Sequence, residues 1–468
     1  MNSKITLSCF AIFLILFSHA QSPDSELGGG EFIFNPEKKP CITPEQRITM
    51  LQDVQVSIEE LQRENKLSFS EQRRGNHPLF AWPLQKASGL NYNEIYGISG
   101  YVDHNTGFPN QLTDYNCGTR TYDSSSGYNH QGIDMFTWPF GWKMMDNDEV
   151  EIIASAPGQI VFKRDGEFDR SCNLNNNVWN TIYVQHSDGS VILYGHMKNG
   201  SVTSKNVGDM VSTGEYLGIV GSSGNSTGPH LHFEVFEGIV NNILTGLVDP
   251  FFGNCNNMNV DSWWQSQRPY NNPGINAVLT HTADPVFPAC PTTETTNESN
   301  QFDINQEVFF TIFLKDQVAG TSVNLRIIKP DNTDLFNWTH DLTNNFSASW
   351  WRWTAFPDVA GEWKWEATYA GETITHTFNV DDPLSISEED FNQTSIFPNP
   401  FNDIIHISST KRIVRTHIVD ILGKTILTIK DTSNGISEID VSNFSNGMYF
   451  VRLESDANEI KIIKLIKE

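Results

Sequence analysis

The sequence predicts a mainly β protein built from several small domains, with one short helical segment near its N-terminus. Two observations carry this. From about residue 78 onward, apolar residues come in short runs broken by Gly, Asn, Ser and Pro, the punctuation of strands and turns. At 468 residues the chain is also too long for one ordinary core, and roughly three domains is the expectation.

The elements follow in order. Residues 1–20 read as a cleaved signal peptide: Lys4 is the positive start, residues 5–17 the apolar run, and Ser18-His19-Ala20 a small-residue cleavage site. Cys9 lies inside that run, which leaves a lipid-anchor cysteine as the alternative. The run is too short to span a bilayer, and no later stretch approaches a membrane helix in length. Residues 21–77 begin polar and Gly-rich. Thr43 then opens a helix, with Glu45 and Gln46 in its first turn and Ile48, Leu51, Val54, Ile58 and Leu61 at helical spacing. This segment is either a pro-segment or a structural packing helix.

Residues 78–255 form an all-β domain. Within it, 151–162 reads as two strands joined by Pro157-Gly158, and 181–186 with 191–196 as a hairpin across Ser187-Asp188-Gly189-Ser190. A Pro- and Asn-rich linker is expected over 256–300. Residues 301–380 alternate again, in 308–314, 323–328 and 363–367, as an Ig-like β-sandwich does. Its Trp350, Trp351 and Trp353 are either core and edge packing or a sugar-binding platform. An acidic linker, 381–394, precedes a small β-patterned segment, 395–468.

The formal net charge of -25 argues against a nucleic-acid partner, since nothing here neutralises a run of phosphates. Without the signal, five cysteines remain: Cys41, Cys117, Cys172, Cys255 and Cys290. Two bridges and one leftover is the simplest arrangement, in a compartment where disulfides persist. Cys117 with Cys172 and Cys255 with Cys290 are the expected pairs, although spacing alone does not fix connectivity.

Chemistry concentrates in residues 78–255. His130-Gln131-Gly132-Ile133-Asp134 offers two ligands four apart, which share a face on a helix or a strand. In His230-Leu231-His232, a strand turns both rings to one side. Two histidines and a carboxylate, with a fourth position left to water, suit a catalytic zinc ion, whose water has a pKa near 7. A proton acceptor and an oxyanion donor are then needed. His196, in Tyr194-Gly195-His196, and the non-ligating member of the His230/His232 pair are the candidates. His186 reads as a surface strand residue, and His77, His104, His281, His340, His376, His406 and His417 show no clustering.

This constellation resembles the lysostaphin/LytM-type zinc endopeptidases, which cut peptide bonds in bacterial cell-wall peptidoglycan. The matching text is Asn129-His130-Gln131-Gly132-Ile133-Asp134, Ala154-Ser155-Ala156-Pro157-Gly158-Gln159-Ile160-Val161, Tyr194-Gly195-His196, Gly214-Glu215-Tyr216-Leu217-Gly218-Ile219-Val220-Gly221, and Ser226-Thr227-Gly228-Pro229-His230-Leu231-His232-Phe233-Glu234. It covers about 80–252. The resemblance implies a small antiparallel β-domain with an open active-site groove and one Zn2+ held by His130, Asp134 and His232. It makes His196 and His230 the catalytic pair, which orient water and stabilise the tetrahedral intermediate. Two departures are the stretch 165–180, with Cys172, and the long polar segment 101–128, with Cys117.

The tail resembles the type IX secretion sorting domain of Bacteroidetes through Phe397-Pro398-Asn399-Pro400, Asp420-Ile421-Leu422-Gly423-Lys424, Asn446-Gly447-Met448-Tyr449-Phe450 and its lysine-rich end. That implies the type IX machinery as a partner and a secreted or cell-surface product. The sequence therefore reads as a secreted zinc metalloendopeptidase acting on peptidoglycan peptides. Two alternatives are the same chemistry on Gly-rich extracellular proteins, and a non-catalytic cell-surface binding protein. Cys41 fits either a disulfide or a thiolate that fills the open zinc position and keeps the enzyme latent, a place an Asn from the same segment would fill equally well.

Overall fold

Among the described residues, apolar runs between Gly and Asn turns fold as strands, with helices at Pro44–Arg63 and Gly141–Asp146. The computed structural model describes residues 28–35, 40–69, 76–173, 175, 177–382, 394–409, 411–431, 436–456 and 460–468. The expected signal peptide with its Cys9, and most of the acidic linker, lie outside these residues. The chain divides after Val380 into two units.

The peptidase-like region is built on an eight-stranded antiparallel sheet. Its order is Tyr96–Gly100, Ile133–Thr137, His230–Val240, Val191–Met197, Asn180–Gln185, Gly158–Arg164 and Met210–Val211, with Ile243–Val248 also paired to His230–Val240. Side chains alternate across it. Leu231, Phe233 and Val235 enter the main core on one face, beside Met135 and Tyr194. His230, His232, Glu234 and Phe236 therefore point to the other. That second face is covered by the N-terminal helix Pro44–Arg63.

The helix starts where the sequence places it. Thr43 and Gln46 form a capping box, and Pro44 supplies a first-turn φ that suits a helix. The buried stripe differs from the expected one: it is Met50, Val54, Ile58 and Leu61, while Ile48 is exposed and Leu51 half-buried. Thr43 sets the helix phase. The sheet below then offers Val161, Tyr183, Phe236, Ile239 and Leu244 to the face that carries Met50.

A β-sandwich packs beside the peptidase-like region. Its five-stranded sheet is Gln301–Asp303, Glu372–Asp381, Gly361–Tyr369, Thr321–Ile328 and Asp334–Leu342. Its four-stranded sheet recruits two strands from outside 301–380: Gly274–His281, within the expected linker, and Gly28–Glu31 from the N-terminal segment. Trp350 and Phe313 turn toward the peptidase side and pack with Phe287 and Trp138. Trp353 is buried against Trp338 and Trp365, so these tryptophans serve packing.

The disulfides correct the expected pairs. Cys117 joins Cys255 and Cys172 joins Cys290, because the Cys117 and Cys172 loops each meet a segment after the peptidase sheet rather than each other. Cys41 is free and buried. The second unit holds a three-stranded sheet, with Ile404–Ser408 central, and a four-stranded sheet ordered Thr425–Lys430, Ile413–Asp420, Gly447–Ser455 and Ile460–Lys467.

Candidate metal centre

Strand register brings the site together. Asp134 lies opposite His232 on neighbouring strands, and Gly195 opposite His232 on the other side. His130 sits in the loop just before Ile133–Thr137, at the same edge of the sheet. His196 follows Gly195 with φ +62°, a left-handed conformation that costs an L-residue roughly 1–2 kcal/mol. Its ring lies 4.3 Å from the ring of His230. All five predicted residues are gathered here, each at most 2% exposed.

Main-chain carbonyls fix three of the rings. His130 Nδ1–H donates to Tyr101 O at 2.8 Å, His196 Nδ1–H to Ser223 O at 2.6 Å, and His230 Nδ1–H to Gly228 O at 2.9 Å. A carbonyl only accepts, so each neutral ring keeps a lone pair on Nε2. His232 is turned the other way, with Nδ1 at 2.8 Å from Asp134 Oδ1.

The Nε2 atoms of His130, His196 and His232 are buried without a hydrogen-bond partner. His130 Nε2 faces Asp134 Oδ2 at 3.2 Å, one acceptor against another. Only a proton or a metal cation between them relieves that opposition, so the donor set fits a metal ion. The charges agree. Burial opposes ionisation of Asp134, but His130, His232 and His230 hold its carboxyl well below the usual carboxylate range. Burial also disfavours charge on His130, yet Asp134 draws its pKa up to about 9. His196 is pushed down by burial and by its neighbour His230.

The structure adds residues the motifs did not name. Tyr122 O–H donates to Asp134 Oδ2 at 2.9 Å and its ring stacks on His130, centroids 4.2 Å apart. Trp179 meets the His196 ring edge-on at 4.7 Å. Tyr122 and Trp179 come from the two segments, 101–128 and 165–180, that depart from the family pattern. Glu234 Oε2 stands 3.7 Å from His232 Nε2 and Glu234 Oε1 is paired at 2.9 Å with Arg47 of the helix. Glu234 was legible only as the next inward position of an H-x-H strand. Cys41 Sγ also enters the cluster, 2.9 Å from Tyr122 Oη. By contrast His186 is buried rather than at the surface, donating Nδ1–H to Pro157 O beside Phe80, and takes no part. His104 forms a separate buried pair with Asp249.

A sheet that gathers imidazoles and a carboxylate in this way defines a metallopeptidase-type centre. Residues 129–243 match peptidase family M23, and residues 395–468 match the secretion system C-terminal sorting domain. The chain thus carries an M23 domain of the lysostaphin/LytM type and a type IX sorting tail that implies export. The DD-carboxypeptidase/endopeptidase Mpg of Neisseria meningitidis serogroup B is 37% identical over 106 residues, covering 22% of this chain and 19% of the relative. Cell division protein DipM of Caulobacter vibrioides is 33% identical over 114 residues, covering 22% and 18%. Among solved structures, the catalytic domain of the antimicrobial peptidase lysostaphin from Staphylococcus simulans is similar at 25% identity, with 34% of this chain, 90% of that chain and a TM-score of 0.20. The chain spans about a fifth of the length of the curated relatives it matches. No helix among the described residues is long and apolar enough to cross a membrane.

Proposed function

We propose that this chain is a secreted zinc metalloendopeptidase that hydrolyses peptide bonds of bacterial peptidoglycan. His130, Asp134 and His232 hold one Zn2+, and His196 and His230 are the catalytic pair. The observation that carries the reading is the buried convergence of His130 Nε2 and His232 Nδ1 on the Asp134 carboxylate, at 3.2 and 2.8 Å, inside the stretch that matches peptidase family M23. The substrate class is supported by the DD-carboxypeptidase/endopeptidase relatives, since bonds between D-residues are a feature of peptidoglycan peptides.

When bound, the zinc ion supplies Lewis acidity and lowers the pKa of water to about 7. The chain's own residues do the rest. Tyr101 O, by accepting from Nδ1, keeps His130 in the tautomer that presents Nε2. Glu234, held by Arg47, orients the far side of His232. His196 and His230 each have Nδ1–H committed to a carbonyl, so each offers Nε2 for one proton. One ring accepts the proton of the attacking water, and as imidazolium it then donates to the departing amine. The other borders the same space, where it steadies the carbonyl oxygen as charge develops. The tail delivers the enzyme through the type IX machinery to the cell surface or medium after signal-peptide cleavage.

The test is release of new amino termini from purified peptidoglycan by the chain recovered from culture medium, with zinc content measured, beside His232→Ala. About one zinc per chain and wall cleavage, both lost in the variant, are expected. Zinc-dependent cleavage of casein or elastin without wall cleavage would move the substrate to Gly-rich proteins. Wall binding by a zinc-loaded chain that cleaves nothing would make it a binding protein.

A further inference from the structure

Resting on that reading of the metal site, we propose that Cys41 is the fourth ligand of the metal. The N-terminal segment then closes the centre against water and keeps the enzyme latent until the thiol is withdrawn. Cys41 is the only free cysteine among the described residues, the other four being bridged. Its sulfur and ligand atoms of His130, Asp134 and His232 all lie within 4.8 Å of one another.

The spacing is that of ligands sharing an ion. A sulfur at about 2.3 Å and an oxygen at about 2.0 Å from one tetrahedral zinc stand about 3.5 Å apart. Cys41 Sγ lies 3.4 Å from Asp134 Oδ2. It also lies 3.5 Å from His230 Nε2, on the side where the catalytic pair needs water. A thiol placed there only for packing would leave His130 Nε2, fully buried, facing Asp134 Oδ2 at 3.2 Å with no cation between them. Two nitrogens, one oxygen and one sulfur make a closed four-coordinate set, the pattern of a site that holds metal without turning over substrate.

The rest of the segment occupies the groove. Phe34 meets the His230 ring edge-on at 5.3 Å, stacks on Phe136 at 5.0 Å and sits over Gly228. Residues 32–35 line two clefts, and Phe34, Asn35 and Cys41 fill the space beside Asp134 and His230 down to about 10 Å³. On the other flank Gln46 bonds the carbonyls of Asn175 and Asn177 and the amide of Asn225, and Arg47 anchors Glu234. Activation is then a ligand exchange without redox change. Withdrawal of Cys41 would leave the electron pair on its sulfur, which would take a proton from solvent, and would open the fourth position to a water.

Cobalt(II) in place of zinc gives a readout independent of activity. The full chain loaded with cobalt is expected to show a thiolate-to-metal charge-transfer band in the near ultraviolet. Cys41→Ser should lose that band while still binding one cobalt, and Cys41→Ala loaded with zinc should cleave walls about ten-fold faster or more than the uncleaved wild type. Cobalt bound by the wild type without the band, and lost in His232→Ala, would overturn the Cys41 assignment and leave the three-ligand site intact. The band without a gain in activity would overturn latency. No cobalt in any variant would overturn the metal site itself, and this proposal with it.

Discussion

Between His130 and Asp134 the chain has Gly132, and the His232 ring explains why. A Cβ there would stand 2.6 Å from His232 Cε1 and 2.9 Å from the Phe233 carbonyl oxygen, with backbone on one side and the His232 ring on the other. Gly132→Ala is therefore expected to displace the ring and weaken metal binding about 10–100-fold, as loss of a ligand's support does. Isothermal titration with zinc checks this, and an unchanged affinity would mean the ring is not a ligand. At this scale the motif was largely readable. Strand periodicity alone puts His230 and His232 on one face, and the four-residue step from His130 to Asp134 ends on the strand paired with theirs. Tyr122 and Trp179 were not readable, because they reach the site from loops whose path depends on tertiary contacts. Cys41 was legible only as an odd cysteine, since its place in the cluster depends on how the fold brings it to Asp134 across a separation of 93 positions.

One residue cannot hold the N-terminal segment in place, and the helix Pro44–Arg63 supplies most of the grip. Ile58 is fully buried against the sheet face that also carries Glu234. Ile58→Ala should cost about 2–5 kcal/mol. Because the helix is a separate layer over the sheet, that loss should appear as faster amide exchange confined to 44–63, with the eight-stranded sheet still protected. Loss of protection in the sheet as well would show that the helix is part of the cooperative core. The existence of this helix was legible in Thr43, Pro44 and Gln46, because a cap is local chemistry. Its buried face was not, because Met50 and Ile48 are both apolar and only the sheet below chooses between them. The disulfides went the same way: each joins residues more than a hundred positions apart, and the pairing follows from how the segments after the sheet fold back over it.

At the scale of the whole molecule the sandwich and the peptidase-like region are one body, and a buried histidine near their contact gives it an acid-sensitive seam. His281 bonds Thr296 O and Thr311 Oγ1, with its ring 6.4 Å from that of Phe313. Burial pushes its pKa down to about 4. A base whose folded pKa lies below its unfolded value of about 6.5 contributes stability that is complete above the unfolded value. That stability is lost as pH falls from about 6.5 toward 4, by roughly 3 kcal/mol. Urea midpoints for wild type and His281→Gln at pH 7 and pH 4 check this: the gap between them should narrow on acidification, and a constant gap would refute it. The sandwich itself was legible in the alternation of 308–314 and 323–328. Its two borrowed strands were not, since Gly274–His281 follows a Pro- and Asn-rich stretch and Gly28–Glu31 is nearly all glycine.

That glycine strand has a consequence of its own. Gly29 has φ +109°, and a side chain there would run into the Trp350 carbonyl oxygen at 2.1 Å, so Gly29 meets that strand through main-chain atoms alone. Glycine pays the largest entropy to be ordered and brings no side chain to bury. The covering of the histidine cluster is thus fastened unevenly, by a glycine seam at Gly28–Glu31 and by a capped, packed helix further along the chain. Withdrawal of the segment is therefore expected to bare the sandwich edge at Trp350 more readily than the sheet face under the helix.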